Sequence, residues 1–376
     1  MADGSDGADG ADEGLNAAGF DITGFDIAGL GVTGLGVTGF DVPVVEAWMG
    51  AQTRVVPPCA WRRLEGGHSN LTYELTDTTG QQFVIRRPPQ GELLPKAHDM
   101  HREFRIIAAL HPVGVPVAEP LGFCDDRAVC DRHFYVMGKV DGEALYTAEQ
   151  TAPRLDETAR SRVGESFMAV LAHLHSIDPD EVGLGDLGRH EGYIARQLRT
   201  WYGSWTASAE AAEYDDDRVH ALFERLTAAI PEQGPARVVH GDYGVHNVMV
   251  DGTGDVVAVL DWEIGTLGDP LADFAYALNA WAEPSDSPTA AAVAPTALPG
   301  FASRDDLIGY YADRTGADLT QLGYYRSFNS FKTACIVHGV YARYKLGMKS
   351  TDGIDMPGLF DRVLVSIDLA EQHLAG

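Results

Sequence analysis

The stretch Val238–Val250 reads VVHGDYGVHNVMV, and Val256–Asp261 reads VVAVLD shortly after it. Both contain short apolar runs that are interrupted by glycine and polar residues, which is typical of short strands joined by loops. The strands that this pattern predicts are Arg237–His240, Val248–Val250 and Val256–Leu260. The polar residues then lie at the ends of neighbouring strands.

Three of these polar side chains have the chemistry that phosphoryl transfer requires, which is mainly positioned charge. We assign to Asp242 the role of orienting or deprotonating the attacking hydroxyl. Asn247 and Asp261 supply an amide oxygen and a carboxylate, the hard donors that Mg²⁺ prefers. His240 is expected to brace the loop by hydrogen bonding. The pattern HxDxxxxN also occurs in ordinary hairpins, but Asp261 and the helix start at Gly268–Pro270 favour an ATP- and Mg²⁺-dependent kinase.

The residues on either side of this stretch predict an α+β protein with two unequal lobes. A small antiparallel-sheet lobe is expected over residues 44–140, in the order Trp61–Glu65, Leu71–Thr76, Gln82–Arg87, helix His98–Leu110, Leu121–Cys124 and Phe134–Val140. A larger, mainly helical lobe is expected over residues 141–376. Its predicted helices are Asp156–His175, Tyr193–Ser208, Asp217–Ile230, Pro270–Trp281, Asp305–Thr315, Leu319–Tyr344 and Pro357–His373.

Residues 1–43 have a different composition from the rest of the chain. Asp, Gly and Ala dominate Met1–Gly14, and the five-residue units GFDIT, GFDIA, GLGVT, GLGVT and GFDVP then follow over Gly19–Pro43. The repeat has the spacing of a β-solenoid coil, but five units are too few to bury a core. We therefore predict a flexible arm, because so much glycine raises the cost of ordering. A scaffold that binds partners through these repeats is the alternative.

The chain is strongly acidic, with 28 Lys and Arg against 55 Asp and Glu and a formal net charge of −27. This charge argues against binding to nucleic acids or to anionic membranes. It fits either cationic substrates or simple solubility. The four cysteines have no zinc-site spacing, and no signal peptide or long apolar run is evident, so we expect a cytoplasmic protein. The oligomeric state stays open.

HGDYGVHNVMV and VLDWEIGTLGDPLADFAY resemble the catalytic segment of the aminoglycoside phosphotransferase and choline kinase superfamily. RPPQGELLPKAHDMHREFRIIAAL, FYVMGKVDG and FKTACIVHGVYARY resemble one branch of it more closely, the kinase-like domains related to those fused to acyl-CoA dehydrogenases. The resemblance covers about Ala60 to Lys349. It implies a bilobal protein-kinase-like fold, with Asp242 as the catalytic aspartate and Asn247 and Asp261 as the Mg²⁺ ligands.

The resemblance also implies where ATP is bound. GGHSN matches the loop over the phosphates, Arg86 stands where protein kinases carry a strand lysine, and Glu103 is its helix partner. Strand alternation turns Arg87 the other way. Adenine should meet the backbone near Met137–Val140. The implied nucleotide-binding residues are Gly67, Ser69, Asn70, Arg86, Glu103, Met137 and Val140.

The acceptor is expected to be the hydroxyl of a small molecule. Asp269 is only eight positions after Asp261, which leaves no space for the activation loop of a protein kinase. No GxxxxGK[ST] motif occurs, which disfavours a P-loop enzyme. Because Arg86 replaces the usual lysine, a nucleotide-binding pseudokinase without turnover is an alternative.

Two acceptor classes remain open. An aminoglycoside would need carboxylate partners, for which Glu263, Asp269 and Asp273 are candidates. The acyl-CoA-dehydrogenase-linked branch instead suggests a hydroxyacyl compound or hydroxyacyl-CoA, which would need cationic and aromatic contacts. Candidates for these contacts are Tyr193, Arg196, Gln197, Thr200, Trp201, His338, Tyr341 and Arg343. The alternative for the aromatic residues is core packing with snorkelling arginines.

Overall fold

A computed structural model describes residues 37–64, 70–90, 99–286, 293–348, 350–351 and 353–375. Its N-terminal lobe contains an antiparallel sheet and two helices. In chain order these are α1 (Val42–Gln52), β1 (Ala60–Arg63), β2 (Leu71–Thr76), β3 (Gln82–Arg87), α2 (Met100–Leu110), β4 (Pro120–Cys124) and β5 (Phe134–Gly138). The strand order β1-β2-β3-β5-β4 places β3 in the middle of the sheet.

The C-terminal lobe is mainly helical, with small sheets that carry the candidate site. Its elements are β6 (Glu143–Ala144), α3 (Ala148–Thr151), α4 (Glu157–Ser176), α5 (Tyr193–Ala212), α6 (Asp217–Ala228), β7 (Arg237–Val239), β8 (Val248–Val250), β9 (Val256–Val259), β10 (Thr266–Gly268), α7 (Pro270–Ala280), α8 (Arg304–Thr315), α9 (Leu322–Lys345) and α10 (Met356–Ala375). Strands β6, β8 and β9 form one antiparallel sheet, and β10 pairs with β7. The α+β, bilobal fold class is confirmed.

Side-chain caps fix several helix starts close to their predicted positions. Asp156 accepts a hydrogen bond from the backbone N–H of Ala159 at 2.9 Å, at the start of α4. Asp269 accepts one from the N–H of Leu271 at 3.0 Å, with Pro270 in the first turn of α7. Such caps satisfy backbone N–H groups that have no partner within the helix.

Helix α1 was not predicted, because the sequence at the start of the lobe indicates only strand-like runs. Its sequence VPVVEAWMGAQ begins with β-branched residues, which have low helix propensity. Val45 and Met49 are fully buried on one face, so packing against the sheet outweighs local propensity. Strand β10 was also missed, because its sequence TLG lacks the apolar run that marks β7 and β8.

Residues just before α1 pack on the N-terminal sheet. The ring centroid of Phe40 lies 5.5 Å from that of Trp61, 5.9 Å from Tyr73 and 5.7 Å from Phe134. The hydroxyl of Tyr73 donates a hydrogen bond to the carbonyl of Thr38 at 2.9 Å. The last residues of the segment predicted as an arm therefore contact the lobe. Residues 1–36, with most of the repeats, lie outside the described residues.

Within the described ranges, none of the helices combines the length and apolar character that crossing a bilayer requires. All four cysteines fall in these ranges, and each is a free thiol.

Candidate active site

The loop between β7 and β8 is held at its start by a buried carboxylate of α7. Asp273 accepts hydrogen bonds from the backbone N–H groups of His240, at 2.7 Å, and Gly241, at 2.8 Å. The Nε2 of His240 donates to the carbonyl of Leu260 at 2.7 Å, and its Nδ1 accepts from the N–H of Asp242 at 3.3 Å. His240 therefore braces the loop through both ring nitrogens, as expected.

Asp242 follows this brace, and both of its carboxylate oxygens accept hydrogen bonds. The hydroxyl of Tyr276 donates to Oδ1, and the Nδ2 of Asn247 donates to Oδ2 at 2.9 Å. The Nε2 of His246 lies 3.6 Å from Oδ2. Burial alone would raise the pKa of Asp242, but the contacts with His246 and Tyr276 outweigh it and lower the pKa to about 2. Asp242 is therefore a carboxylate at neutral pH.

Asn247 and Asp261 are brought together with Asp242 by the pairing of β8 with β9. The backbone N–H of Leu260 donates to the carbonyl of Asn247 at 2.8 Å, and Asp261 follows directly. Because the Nδ2 of Asn247 is directed at Asp242, its amide oxygen points away from that carboxylate. Asp261 has a left-handed backbone, with φ of 60°, at the start of a short 3₁₀ turn.

These oxygens suit Mg²⁺, which usually takes one or two protein carboxylates and completes its shell with phosphates and water. In the described part of the chain, no cluster of three or more His, Cys, Asp or Glu forms a denser metal site. Asn247 and Asp261 are residues that could hold such an ion.

Arg86 connects the two lobes at the site. Its Nη2 lies 2.9 Å from Oδ1 of Asp261, and its Nε lies 3.5 Å from Oε2 of Glu103. Tyr135 donates to the same Glu103 oxygen at 2.9 Å. Burial raises the pKa of Glu103, and Arg86 opposes this shift. The predicted pairing of Arg86 with Glu103 is therefore present in the structure.

Arg87 faces away from this cleft, as strand alternation predicts. It is fully buried, donates to the carbonyl of Gly39 and forms an ion pair with Asp131 at 3.0 Å. Its ring partner is Phe40, whose centroid lies 5.4 Å from the guanidinium carbon. Arg87 thus ties the segment before α1 to the sheet.

The structure describes only some of the other predicted nucleotide-binding residues. Gly67 and Ser69 lie outside the described residues, while Asn70 is buried directly before β2. Met137 is paired with Val84 in the sheet. Val140 follows β5 and lines a cavity of about 600 Å³, whose other walls include Leu145, Leu155 and Val250. The connection between the lobes, from Lys139 to Glu143, also lines this cavity, whereas Asp242 and Asp261 do not.

The structure brings four further residues close to Asp242 that the sequence pattern did not indicate as its neighbours. Tyr276 lies one turn after Asp273 on α7, a spacing that could have revealed it. Lys332 on α9 donates to the carbonyl of Gly241 at 2.8 Å, and the sequence holds no signal for this long-range contact. The third residue is His246, whose Nε2 lies 3.6 Å from Oδ2 of Asp242. Burial and the neighbouring Asp261 raise the pKa of the fourth, Glu263, to about 8.

Most candidate acceptor contacts are engaged within the protein. Asp269 caps α7 and accepts from the hydroxyl of Tyr325 at 2.7 Å, while Asp273 holds the loop between β7 and β8. Trp201 is 5% exposed and belongs to the helical core. His338 stacks on Trp205 with ring centroids 3.9 Å apart. Core packing therefore accounts for these aromatic residues.

Comparison with known proteins gives a consistent result. The model of the "Phosphotransferase enzyme family" matches residues 60–307. Acyl-CoA dehydrogenase family member 11 of Gallus gallus is 35% identical over 300 residues, which are 77% of this chain and 38% of that protein. This chain thus spans less than half the length of that relative.

Two solved structures share the fold. One, from Ralstonia eutropha and provisionally assigned as an aminoglycoside phosphotransferase, is 28% identical with a TM-score of 0.75, covering 89% of this chain and 98% of the other. Spectinomycin phosphotransferase, solved with ADP and spectinomycin, is 12% identical with a TM-score of 0.56, covering 88% and 97%. The second likeness concerns the fold alone.

Proposed function

Because the chain belongs to the phosphotransferase enzyme family, we propose that it transfers the γ-phosphoryl group of ATP to a hydroxyl of a small molecule. The observation that carries this proposal is the hydrogen-bonded unit of Asp242 and Asn247, with Asp261 at the end of the paired strand. Nucleotide and Mg²⁺ dependence are part of the proposal, and the donor set of Asn247 and Asp261 supports them.

Asp242 accepts the proton of the acceptor hydroxyl as the new P–O bond forms and the bond between the γ-phosphorus and ADP breaks. A carboxylate with a pKa of about 2 is a weak base, so its role is to orient the hydroxyl and take the proton late. This suits a loose transition state in which the nucleophile needs little prior deprotonation. Mg²⁺, when bound by Asn247 and Asp261, would neutralise negative charge on the phosphates.

We propose a hydroxyacyl compound or hydroxyacyl-CoA as the acceptor. The relatives are named as acyl-CoA dehydrogenase family members, and the matching part is less than half of the protein from Gallus gallus. The rival aminoglycoside acceptor would need free carboxylates, but Asp269 and Asp273 are both occupied by internal hydrogen bonds. The free thiols are compatible with the cytoplasm, which stays a prediction.

The test is ADP release from MgATP over a panel of 3-hydroxybutyryl-CoA, kanamycin, choline and homoserine. Asp242→Asn should lower the rate with the active acceptor by at least about 100-fold, because the proton acceptor is lost while the shape is kept. Calorimetric binding of MgATP should persist in the variant. Asp318→Asn, the same change at an exposed position before α9, is the control.

A variant Asp242→Asn that turns over at the wild-type rate would remove Asp242 from its role. A protein that binds MgATP but releases no ADP with any acceptor would support the pseudokinase alternative instead. Release with kanamycin alone would replace the hydroxyacyl acceptor with an aminoglycoside.

A further inference from the structure

Helix α7 contacts the catalytic loop at two points, one helical turn apart. Asp273 holds the backbone N–H groups of His240 and Gly241, and Tyr276 donates its hydroxyl to the carboxylate of Asp242. Side chains at positions i and i+3 share one face of a helix. A single rigid element therefore fixes both the backbone before Asp242 and the functional group itself.

The hydrogen bond from Tyr276 restricts the orientation of the Asp242 carboxylate, which the hydrogen bond within the loop does not do alone. The terminal torsion of an aspartate is soft, so a single hydrogen bond does not fix the plane of its carboxylate. Asn247 holds only Oδ2, at 2.9 Å, and Asn247 is also a predicted Mg²⁺ ligand. The hydroxyl of Tyr276 holds Oδ1. With both oxygens held, the carboxylate has one orientation.

Tyr276 is in turn supported by Lys332 of α9. The Lys332 Nζ lies 5.2 Å from the ring centroid of Tyr276 and 5.9 Å from that of Trp201, and it donates to the carbonyl of Gly241 at 2.8 Å. Lys332 is only 5% exposed, and burial lowers the pKa of its ammonium, while the nearby carboxylates of Asp242 and Asp273 oppose this shift. A buried ammonium is costly to keep, so its position depends on these groups and on the carbonyl that it contacts.

The geometry points to Tyr276 as a positioning residue for phosphoryl transfer, one that acts by orienting the carboxylate of Asp242. Lys332 stabilises this arrangement by a cation–π contact with the ring of Tyr276 and a hydrogen bond to the carbonyl of Gly241. The inference rests on the proposed role of Asp242. It adds two residues from helices outside the catalytic loop, neither of which contacts the predicted metal ligands.

The experiment compares Tyr276→Phe with Tyr325→Phe. Both changes delete one tyrosine hydroxyl that donates to an aspartate, but Tyr325 donates to Asp269 at 2.7 Å, away from Asp242. Steady-state kinetics with MgATP and 3-hydroxybutyryl-CoA, with kanamycin as a second acceptor, give kcat and KM. Crystal structures of the wild type and of Tyr276→Phe give the orientation of the Asp242 carboxylate. Thermal unfolding reports the stability of each variant.

We expect Tyr276→Phe to lower kcat by about tenfold or more, with KM for MgATP within about twofold of the wild type, because misplacing a reacting group slows the chemical step. Tyr325→Phe should lose similar thermal stability but keep its kcat. Lys332→Met should lower kcat in the same way, and Lys332→Arg, which keeps a cation and donors, should restore most of it. In crystals of Tyr276→Phe the Asp242 carboxylate should occupy more than one orientation.

Two results would overturn the inference. One is a Tyr276→Phe enzyme with the wild-type kcat, and the other is an Asp242 carboxylate that keeps its single orientation in that variant. If the wild-type protein releases ADP with neither of these acceptors nor with choline or homoserine, the proposed function loses its support. The crystallographic comparison then still decides whether Tyr276 orients Asp242.

Discussion

At the scale of single residues, Arg86 stands out because it contacts carboxylates of both lobes. Its side chain is 17% exposed and lies between the carboxylates of Glu103 and Asp261, which belong to different lobes. Glu103 is 2% exposed, and its Oε1 has no hydrogen-bond partner. A buried carboxylate in this position depends on the nearby guanidinium.

Arg86→Met should therefore destabilise the protein by about 3 kcal/mol, because it leaves Glu103 buried without a cation. Adding Glu103→Gln should recover part of that loss, since the second change removes the charge. Denaturant unfolding of both single variants and the double variant measures the coupling. Arg62→Met is the control: Arg62 is 58% exposed in its ion pair with Glu74, so its loss should cost less than about 1 kcal/mol. Additive effects of Arg86→Met and Glu103→Gln would contradict this account.

The sequence alone indicated those residues of the site that lie close together along the chain. His240, Asp242 and Asn247 lie within one loop, and Asp261 follows the next strand. Tyr276 could have been found from its spacing to Asp273 on α7, whereas Lys332 could not be predicted, because its contact with the loop depends on how α9 packs around it. Nothing in a helical pattern distinguishes a buried lysine that supports a catalytic loop from one that faces solvent.

At the scale of elements, the start of helix α6 is fixed by a charged cap. Asp216 accepts from the backbone N–H of Arg218 at 3.0 Å and also binds its guanidinium, while Tyr214 donates to Oδ2 at 2.6 Å. The hydrogen bond from Arg218 contributes most to lowering the pKa of Asp216 to about 2. The folded state therefore binds this proton less readily than the unfolded chain does.

The stabilisation from Asp216 is accordingly present above about pH 4, and it is lost as the pH falls towards 2. Asp216→Asn, which keeps a capping oxygen, should cost about 2 kcal/mol at pH 7, and this difference should shrink between pH 4 and pH 2. Urea unfolding of both proteins at several pH values measures it. The exposed Asp305→Asn, in the first turn of α8, is the comparison. A constant difference across the pH range would contradict the role of the charge.

Element boundaries were predictable where the apolar pattern was strong. Strands β2, β3 and β8 have the predicted limits, and the long helices differ from prediction by a few residues at their ends. Helix α1 and strand β10 were not predictable, because burial against other elements decides their conformation. The order of elements nevertheless sufficed for the fold class.

At the scale of the whole molecule, the N-terminal lobe includes the residues that precede α1. Phe40 packs on three aromatic rings of the sheet, and the carbonyl of Gly39 accepts from Arg87, the residue after Arg86 on β3. The segment that enters α1 is therefore connected, through one strand, to the side chain that bridges the lobes.

A protein that begins at residue 42 should be less stable than one that begins at residue 37, by about 2–4 kcal/mol, because burial of the Phe40 ring is lost. Both truncations keep the catalytic loop, so ADP release should continue in each at a temperature below unfolding. Thermal and denaturant unfolding of the pair measures the difference. Equal stability would show that residues 37–41 contribute nothing to the lobe.

Asp261 offers its carboxylate to two competing cations. Arg86 occupies Oδ1 across the gap between the lobes, and Asn247 and Asp261 together are the ligands expected for a divalent ion. A divalent ion bound at Oδ1 of Asp261 would compete with the guanidinium of Arg86, which would then be free to contact anionic oxygens of the nucleotide. Without a bound ion, Arg86 thus neutralises part of the negative charge of the cleft and links the two lobes through Glu103 and Asp261, so binding of a divalent ion at Asp261 would weaken this link.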